Sequence, residues 1–288
     1  MIDEAKAIAA GARTESNVWD FFTDRAVVKD ALPVLTVLTL AATASEMNSG
    51  GVVTNEETHQ KFNINSPLLF PKVSLLDPTL TFSVPPDYTA YSAVDAICHL
   101  LEGYFTGKDP ATALQDRVVE SLIKTIMECT EQILNDARDY EARASMMWSA
   151  TLAFNGLTTA GIGGYGFPNH MIEHSLSALY DIAHGAGLAI VLPAWMSYSS
   201  AANPDKFARF ARNVFDIRDD NAAAAAQKGI EALKGWFNKI GSPVSLGAAG
   251  IPDADIVQIA RNATMLAGKW RLVDYTESVI AEILRRAT

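Results

Sequence analysis

PPDYTAYSAVDAICHLLEGYF, residues 85–105, decides how the rest of the chain is read. Pro85 and Pro86 stop the segment before them, proline is tolerated in a helical first turn, and Asp87 caps the free amides there. The spacing predicts a helix over 88–105. On that helix Asp95 and His99 are four residues apart, so both side chains leave one face about a turn from each other. Ala93, Val94, Ala96 and Ile97 make the stretch apolar, where an unpaired carboxylate is costly. Something positive is expected to face Asp95.

Downstream, the pattern stays helical over 111–135, 140–160, 168–180, 186–201, 205–215, 221–240, 253–267 and 272–286, and nothing after Pro86 alternates as a strand does. Upstream, helical spacing over 2–12 gives way to short runs rich in valine, leucine and threonine at Pro33–Leu40, Gly51–Asn55 and Val73–Leu76, which read as strands. Polar loops at Thr43–Gly51 and Asn63–Pro67 separate them. The boundary is placed at Pro85, with residues 1–85 a small α/β piece and residues 86–288 an all-helical domain. No fixed-period repeat is visible, and the alanine run Ala222–Ala226 carries helix propensity and no assigned function.

The histidines are His59, His99, His170, His174 and His184, and the last four lie in the helical part beside acids. His170-Met-Ile-Glu-His174 repeats the four-residue spacing of Asp95 and His99, and His184 follows a break at Asp181, in His184-Gly-Ala-Gly. One aspartate with three histidines suits zinc or ferrous iron, because imidazole with carboxylate favours these over magnesium or calcium. Taken singly, each histidine reads as a satisfied core residue. Together with the buried Asp95 they point to Asp95, His99, His170 and His184 around one divalent cation. His59 is read as a surface-loop residue. The loop TLAATASEMNSGG (39–51) offers hydroxyls, amides and close backbone approach after a strand, which suits a phosphate or ribose. Such a loop is more often only a loop, and Lys61 alone reads as a solvated charge.

The bulk properties narrow the function. The chain has 288 residues, 49 % hydrophobic and 19 % charged, as expected of a folded globular protein. Lysine and arginine number 23 against 33 acids, a net charge of −10 that disfavours nucleic acid as a partner. Two cysteines, Cys98 and Cys129, are too few for a disulfide framework, and a cytoplasmic location is expected. The apolar run Gly185–Met196 contains Pro193 and is too short to span a bilayer, and the first residues lack the layout of a secretory signal.

TLAATASEMNSGGVVTNEE (39–57), SLLDPTLTFSVPP (74–86), AVDAICHLLEGYF (93–105), MMWSATLAFNGL (146–157) and NHMIEHSLSALYDIAHGAGLAIVLPAWM (169–196) together resemble the iron-containing, or group III, alcohol dehydrogenases. Within that family the similarity is to the butanol dehydrogenase and NADPH-dependent aldehyde reductase branch, and it runs along essentially the whole chain. The resemblance implies a mainly α fold: a dehydroquinate synthase-like helical metal-binding domain preceded by a truncated α/β dinucleotide-binding domain. It implies hydride transfer between NAD or NADP and a small alcohol or aldehyde, with Fe2+ or Zn2+ on Asp95, His99, His170 and His184. His174 falls on the family's further histidine in the reaction pocket, and cofactor contacts fall on Thr39, Ser45, Asn48, Lys61 and Leu80. A homodimer is also expected.

Two departures from the family pattern bear on these expectations. The helix at Ile2 lacks the glycine-rich turn that precedes it in the family, so a catalytically impaired metal-binding fragment is the alternative reading. Ala44 stands where the family's TGSE segment has glycine. A lyase of the dehydroquinate synthase type is disfavoured, because no basic cluster suits a phosphorylated acidic substrate.

Overall fold

The computed structural model describes residues 1–109 and 111–288. A small α/β piece leads into a large bundle of helices. Helix α1 (Ile2–Gly11) and the short α2 (Trp19–Phe22) precede β1 (Leu35–Val37), β2 (Gly50–Asn55), β3 (Gln60–Asn65) and β4 (Val73–Leu75). Strands β2 and β3 form an antiparallel hairpin with Gly50 opposite Asn65, whereas β1 and β4 pair in parallel with Leu35 opposite Val73. One face of that parallel pair is open, since Leu35, Val37, Val73 and Leu75 are all more than half exposed.

The helical part comprises α3 (Pro86–Thr106), α4 (Ala113–Asn135), α5 (Tyr140–Ala153), α6 (Pro168–Tyr180), α7 (His184–Ser199), α8 (Pro204–Phe215), α9 (Ala222–Lys239), α10 (Ile256–Lys269) and α11 (Glu277–Arg285). Local chemistry sets several of these boundaries. Pro86 and Pro168 open α3 and α6, and Asp139 caps α5 by accepting from the Ala142 N–H at 3.0 Å. Asp181 closes α6 in the left-handed conformation, φ 53°, at the expected break.

Three sequence readings need correction. Residues 60–65 form strand β3, although 63–67 read as loop: Gln60-Lys61-Phe62-Asn63-Ile64-Asn65 is polar because most of it faces the cleft or a neighbouring element. Helix α5 ends at Ala153 instead of 160, since Asn155, Gly156, Gly161, Gly163 and Gly164 favour turns, three of these glycines having positive φ. The last helix starts at Glu277 instead of 272, capped by Thr276.

Two clusters of buried apolar side chains hold the molecule together. The larger joins Ile97, Leu101, Ile123, Leu188, Leu192 and Phe237 across the helical part, each full burial being worth about 1.5–3 kcal/mol. The smaller gathers Ala7, Ala10, Phe21, Phe22, Val28, Ile64 and Leu69 within the first 70 residues. Polar ties then fix the small piece to the bundle. Lys269 on α10 donates to the carbonyls of Asn63, at 2.9 Å, and Phe22, while Trp270 Nε1 donates to Asn63 Oδ1 at 2.8 Å. Thr151 on α5 donates to Glu46 at 2.6 Å. A cleft is left between the two parts.

Candidate metal centre

Helix α3 is packed by α4, α5 and α7, which buries the face carrying Asp95 and His99. Helix α7 can start directly against it because residue 185 is glycine. A Cβ there would lie 2.0 Å from the Tyr91 carbonyl oxygen of α3, and one at Gly187 would lie 2.7 Å from Glu173 Oε1 of α6. Two small residues thus let His184, at the first position of α7, reach the other clusters.

At that meeting point Asp95 Oδ1 lies 3.5 Å from His170 Nε2 and 3.6 Å from His184 Nε2. Ligand atoms of these three residues all fall within 4.8 Å of one another. His99 stands beside them, its Nδ1 3.1 Å from Asp95 Oδ1 and its ring 4.2 Å from that of His170, but it is not part of the tightest set. Asp95 Oδ1 and His170 Nε2 are buried atoms without a hydrogen-bond partner. Buried polar atoms in a folded protein are almost always satisfied, and two orphans aimed at each other's surroundings, an oxygen and an imidazole lone pair, fit a cation between them.

The other ring nitrogens carry a consistent pattern. His99 Nδ1 faces the Asp95 backbone carbonyl at 3.0 Å, His170 Nδ1 faces Glu102 Oε1 at 3.1 Å, His174 Nδ1 faces the Lys61 carbonyl at 2.9 Å, and His184 Nδ1 contacts Glu173. The partners of His99, His170 and His174 accept, so in these three rings Nδ1 carries the proton and Nε2 keeps its lone pair, whereas His184 Nδ1 lies between Glu173 and the Lys61 ammonium, the latter 3.1 Å away. Metal-ligating histidines are oriented in this way.

Glu102 and Glu173 are fully buried and were not singled out from the sequence. Glu102 also accepts from the backbone N–H groups of Asn169, at 2.9 Å, and His170, at 3.1 Å. A carboxylate from α3 therefore caps the first turn of α6 and aims the His170 ring together. Its signal was present: Glu102 lies seven residues after Asp95 and three after His99, on the same helical face. Burial pushes the Glu173 carboxyl up, but His184 and the Lys61 ammonium outweigh it and hold the group below the usual carboxylate range. Asp95 is likewise pushed up by burial and held well below its ordinary value by His99, His170 and His184. His174, with its environment dominated by burial and then by the Lys61 charge, is driven well below the ordinary imidazole value and stays neutral.

A cavity of about 690 Å3 opens onto these rings, and Ser45, Asn48 and Lys61 line it as well. Aromatic residues form its apolar wall. Phe154 stacks on His99 with centroids 4.3 Å apart, Phe167 meets Phe154 edge-on at 5.3 Å, and Trp270 meets His174 at 5.6 Å. None of these was legible, since the loop after α5 and the end of α10 reach the site only through the tertiary fold. An adjoining recess of about 1250 Å3 shares Ser45, Lys61 and His184 and also takes in Thr39. Lys61 Nζ donates to Ser177 Oγ at 3.0 Å and to Glu173 at 3.4 Å. Leu80, 40 % exposed, lines neither cavity among the described residues. His59 lies on an exposed turn, as expected. Ala44 has left-handed φ and ψ of 50° and 26°, a conformation that costs a side chain roughly 1 kcal/mol relative to glycine.

Comparison with known proteins places this arrangement. Residues 89–288 match the Fe-containing alcohol dehydrogenase family, C-terminal, and residues 1–78 match iron-containing alcohol dehydrogenase. The chain is 43 % identical over 265 residues to probable NADH-dependent butanol dehydrogenase 1 of Bacillus subtilis, covering 91 % of this chain and 68 % of that protein. It is 34 % identical over 259 residues to NADPH-dependent aldehyde reductase YqhD of Escherichia coli, covering 89 % and 66 %. The crystal structure of NADH-dependent butanol dehydrogenase A from Thermotoga maritima superposes with a TM-score of 0.94 at 46 % identity, covering all of this chain and 74 % of that one. With sequence and fold in agreement along its whole length, the chain belongs to the iron-containing alcohol dehydrogenase family.

Proposed function

We propose that this chain transfers hydride between NAD(P)(H) and a short- to medium-chain alcohol or aldehyde, using a divalent cation held by Asp95, His99, His170 and His184. The observation that carries the reading is the pair of buried, unpartnered atoms Asp95 Oδ1 and His170 Nε2, with His184 Nε2 beside them. The donor set fits Fe2+ or Zn2+, and such a cation supplies Lewis acidity toward a substrate oxygen.

The chain's own residues supply the remainder. The wall of Phe154, Phe167 and Trp270 excludes water and receives an alkyl chain, while Ser45, Asn48 and Lys61 offer polar contacts to the cofactor's reactive end. Thr39 in the adjoining recess faces the more distant part of the cofactor, while a cofactor contact by Leu80 rests on the family resemblance alone. His174, neutral and fixed through the Lys61 carbonyl, keeps Nε2 available to exchange a proton with the reacting oxygen. Relatives named for NADH and for NADPH both support a nicotinamide cofactor and leave its phosphate open.

The proposal includes a division at Pro85 between a cofactor-binding part, 1–85, and a metal-binding part, 86–288, supported by the smaller apolar cluster, which lies wholly within residues 7–69, while Leu38 and Ala41 join the larger one. It also includes a homodimer in a reducing cytoplasm, the latter supported by the buried free thiols of Cys98 and Cys129. No described helix is long and apolar enough to cross a membrane.

The test is elemental analysis of purified protein together with butanal-dependent oxidation of NADPH and NADH. His184→Ala should lose both bound metal and turnover, whereas His174→Ala should keep the metal and turn over more slowly, by roughly 100-fold. Full metal content in the His184 variant would show the ligand assignment to be wrong.

A further inference from the structure

Lys6 is the one fully buried lysine among the described residues, and it does not line the 690 Å3 cavity. Its ammonium donates to the Asn48 carbonyl at 2.9 Å, to Asn48 Oδ1 at 3.1 Å and to the Gly50 carbonyl at 2.6 Å, which uses all three of its N–H bonds. One turn earlier on α1, Asp3 accepts from Ser45 Oγ and from the Val52 N–H, the latter at 2.9 Å. Helix α1 thus grips the 45–52 segment at both ends. Burial pushes the Lys6 ammonium down to about 8 despite the charges of Asp3 and Glu46, so the fold keeps a cation here against a desolvation cost that an apolar residue of similar length would avoid.

The consequence falls on the amide of Asn48. Its Oδ1 accepts from Lys6 and from the Gly50 N–H at 3.1 Å, and its Nδ2 donates to the Thr43 carbonyl at 3.0 Å. A primary amide has two N–H donors, so one remains, and Asn48 lines the 690 Å3 cavity with the histidines. Turning the amide over would set Nδ2 against the ammonium, donor to donor. We propose that Lys6 is a positioning residue that fixes the orientation of the Asn48 amide, so that Asn48 presents an N–H donor to an acceptor oxygen at the reactive end of the nicotinamide cofactor. This rests on the cofactor reading above.

Lys6→Met removes the donors and keeps the length, and Lys6→Arg restores charge and donors. Expected for Lys6→Met is a rise in KM for NADPH and NADH of roughly tenfold or more, with kcat at saturating cofactor within about twofold of wild type and metal content unchanged. Lys6→Arg should recover most of the loss. Amide hydrogen exchange without cofactor gives a separate reading, because residues 48–52 should lose protection in Lys6→Met while α6 and α7 keep theirs. Unchanged protection at 48–52, or equal losses in Lys6→Arg and Lys6→Met, would overturn the proposal. If Lys6→Met does not fold, the comparison of Lys6→Arg with wild type decides, equal KM and protection supporting it and a KM as high as that of Asn48→Ala refuting it. Failure of wild type to bind either nucleotide in a tryptophan fluorescence titration would instead refute the cofactor reading and leave the exchange result standing.

Discussion

Glu102 shows how one side chain can join a site to its scaffold. Its carboxylate accepts from the Asn169 and His170 amides and faces His170 Nδ1, so the position of helix α6 and the aim of the His170 ring depend on a single group. Glutamine at this position keeps an acceptor for the amides but removes the charge that makes the imidazole a stronger donor to a cation. Glu102→Gln should therefore weaken metal binding by roughly 10- to 100-fold while the protein stays folded. Competition against a chromophoric chelator measures this, and an unchanged affinity would remove Glu102 from the orienting role. Ala44 is the opposite kind of residue: its left-handed backbone explains why the family pattern has glycine there, and the chain tolerates the alanine at a small cost.

Among the elements, the seam where α3, α4 and α8 meet is held by charge as much as by packing. Glu120 on α4 accepts from Tyr104 Oη at 2.8 Å, from Arg209 Nε at 2.7 Å and from Asn213 Nδ2 at 2.9 Å, beside the stacked rings of Phe105 and Phe207. Burial pushes the Glu120 carboxyl up, but the hydrogen bonds from Arg209, Asn213 and Tyr104 prevail and hold it below its ordinary value. A carboxyl lower in the folded chain than in the unfolded one stabilises the fold at pH above the unfolded value, near 4.3, and that contribution is lost as pH falls through the folded value. Urea midpoints measured from pH 7 down to 3 should fall less steeply in Glu120→Gln than in wild type. Parallel acid limbs would show that the seam does not titrate as described.

For the molecule as a whole, the proposed centre joins α3 to the consecutive helices α6 and α7, far downstream of it in sequence, so a bound cation would act as a cross-link on the helical part. A ligand at about 1,000 times its dissociation constant adds about 4 kcal/mol to the folded state. Removing the cation with EDTA should lower the thermal midpoint by roughly 10 °C, and adding back Zn2+ or Fe2+ should restore it. Calorimetry on the chelated and reloaded protein checks this, with hydrogen exchange expected to loosen α3, α6 and α7 before α4 and α9. A midpoint indifferent to EDTA would mean that the three helices share no ion.

Much of this was legible in the residues themselves. The helix start at Pro86, the helical periodicity beyond it and the four-residue spacings of Asp95 with His99 and of His170 with His174 are local properties of a helix, whose geometry follows from sequence separation alone. The break at Asp181 was legible for the same reason. Strand β3 was not, because its burial is set by its partners: Lys61 reads as a solvated charge and Asn63 as a loop residue until the cleft and α10 surround them. Whether His170 and His184 share a point with Asp95, how Glu102 reaches α6, and which aromatic rings close the cavity depend on how helices cross. Those crossings arise from contacts between residues scores of positions apart, such as Gly185 lying against Tyr91, and separation along the chain carries no distance of that kind.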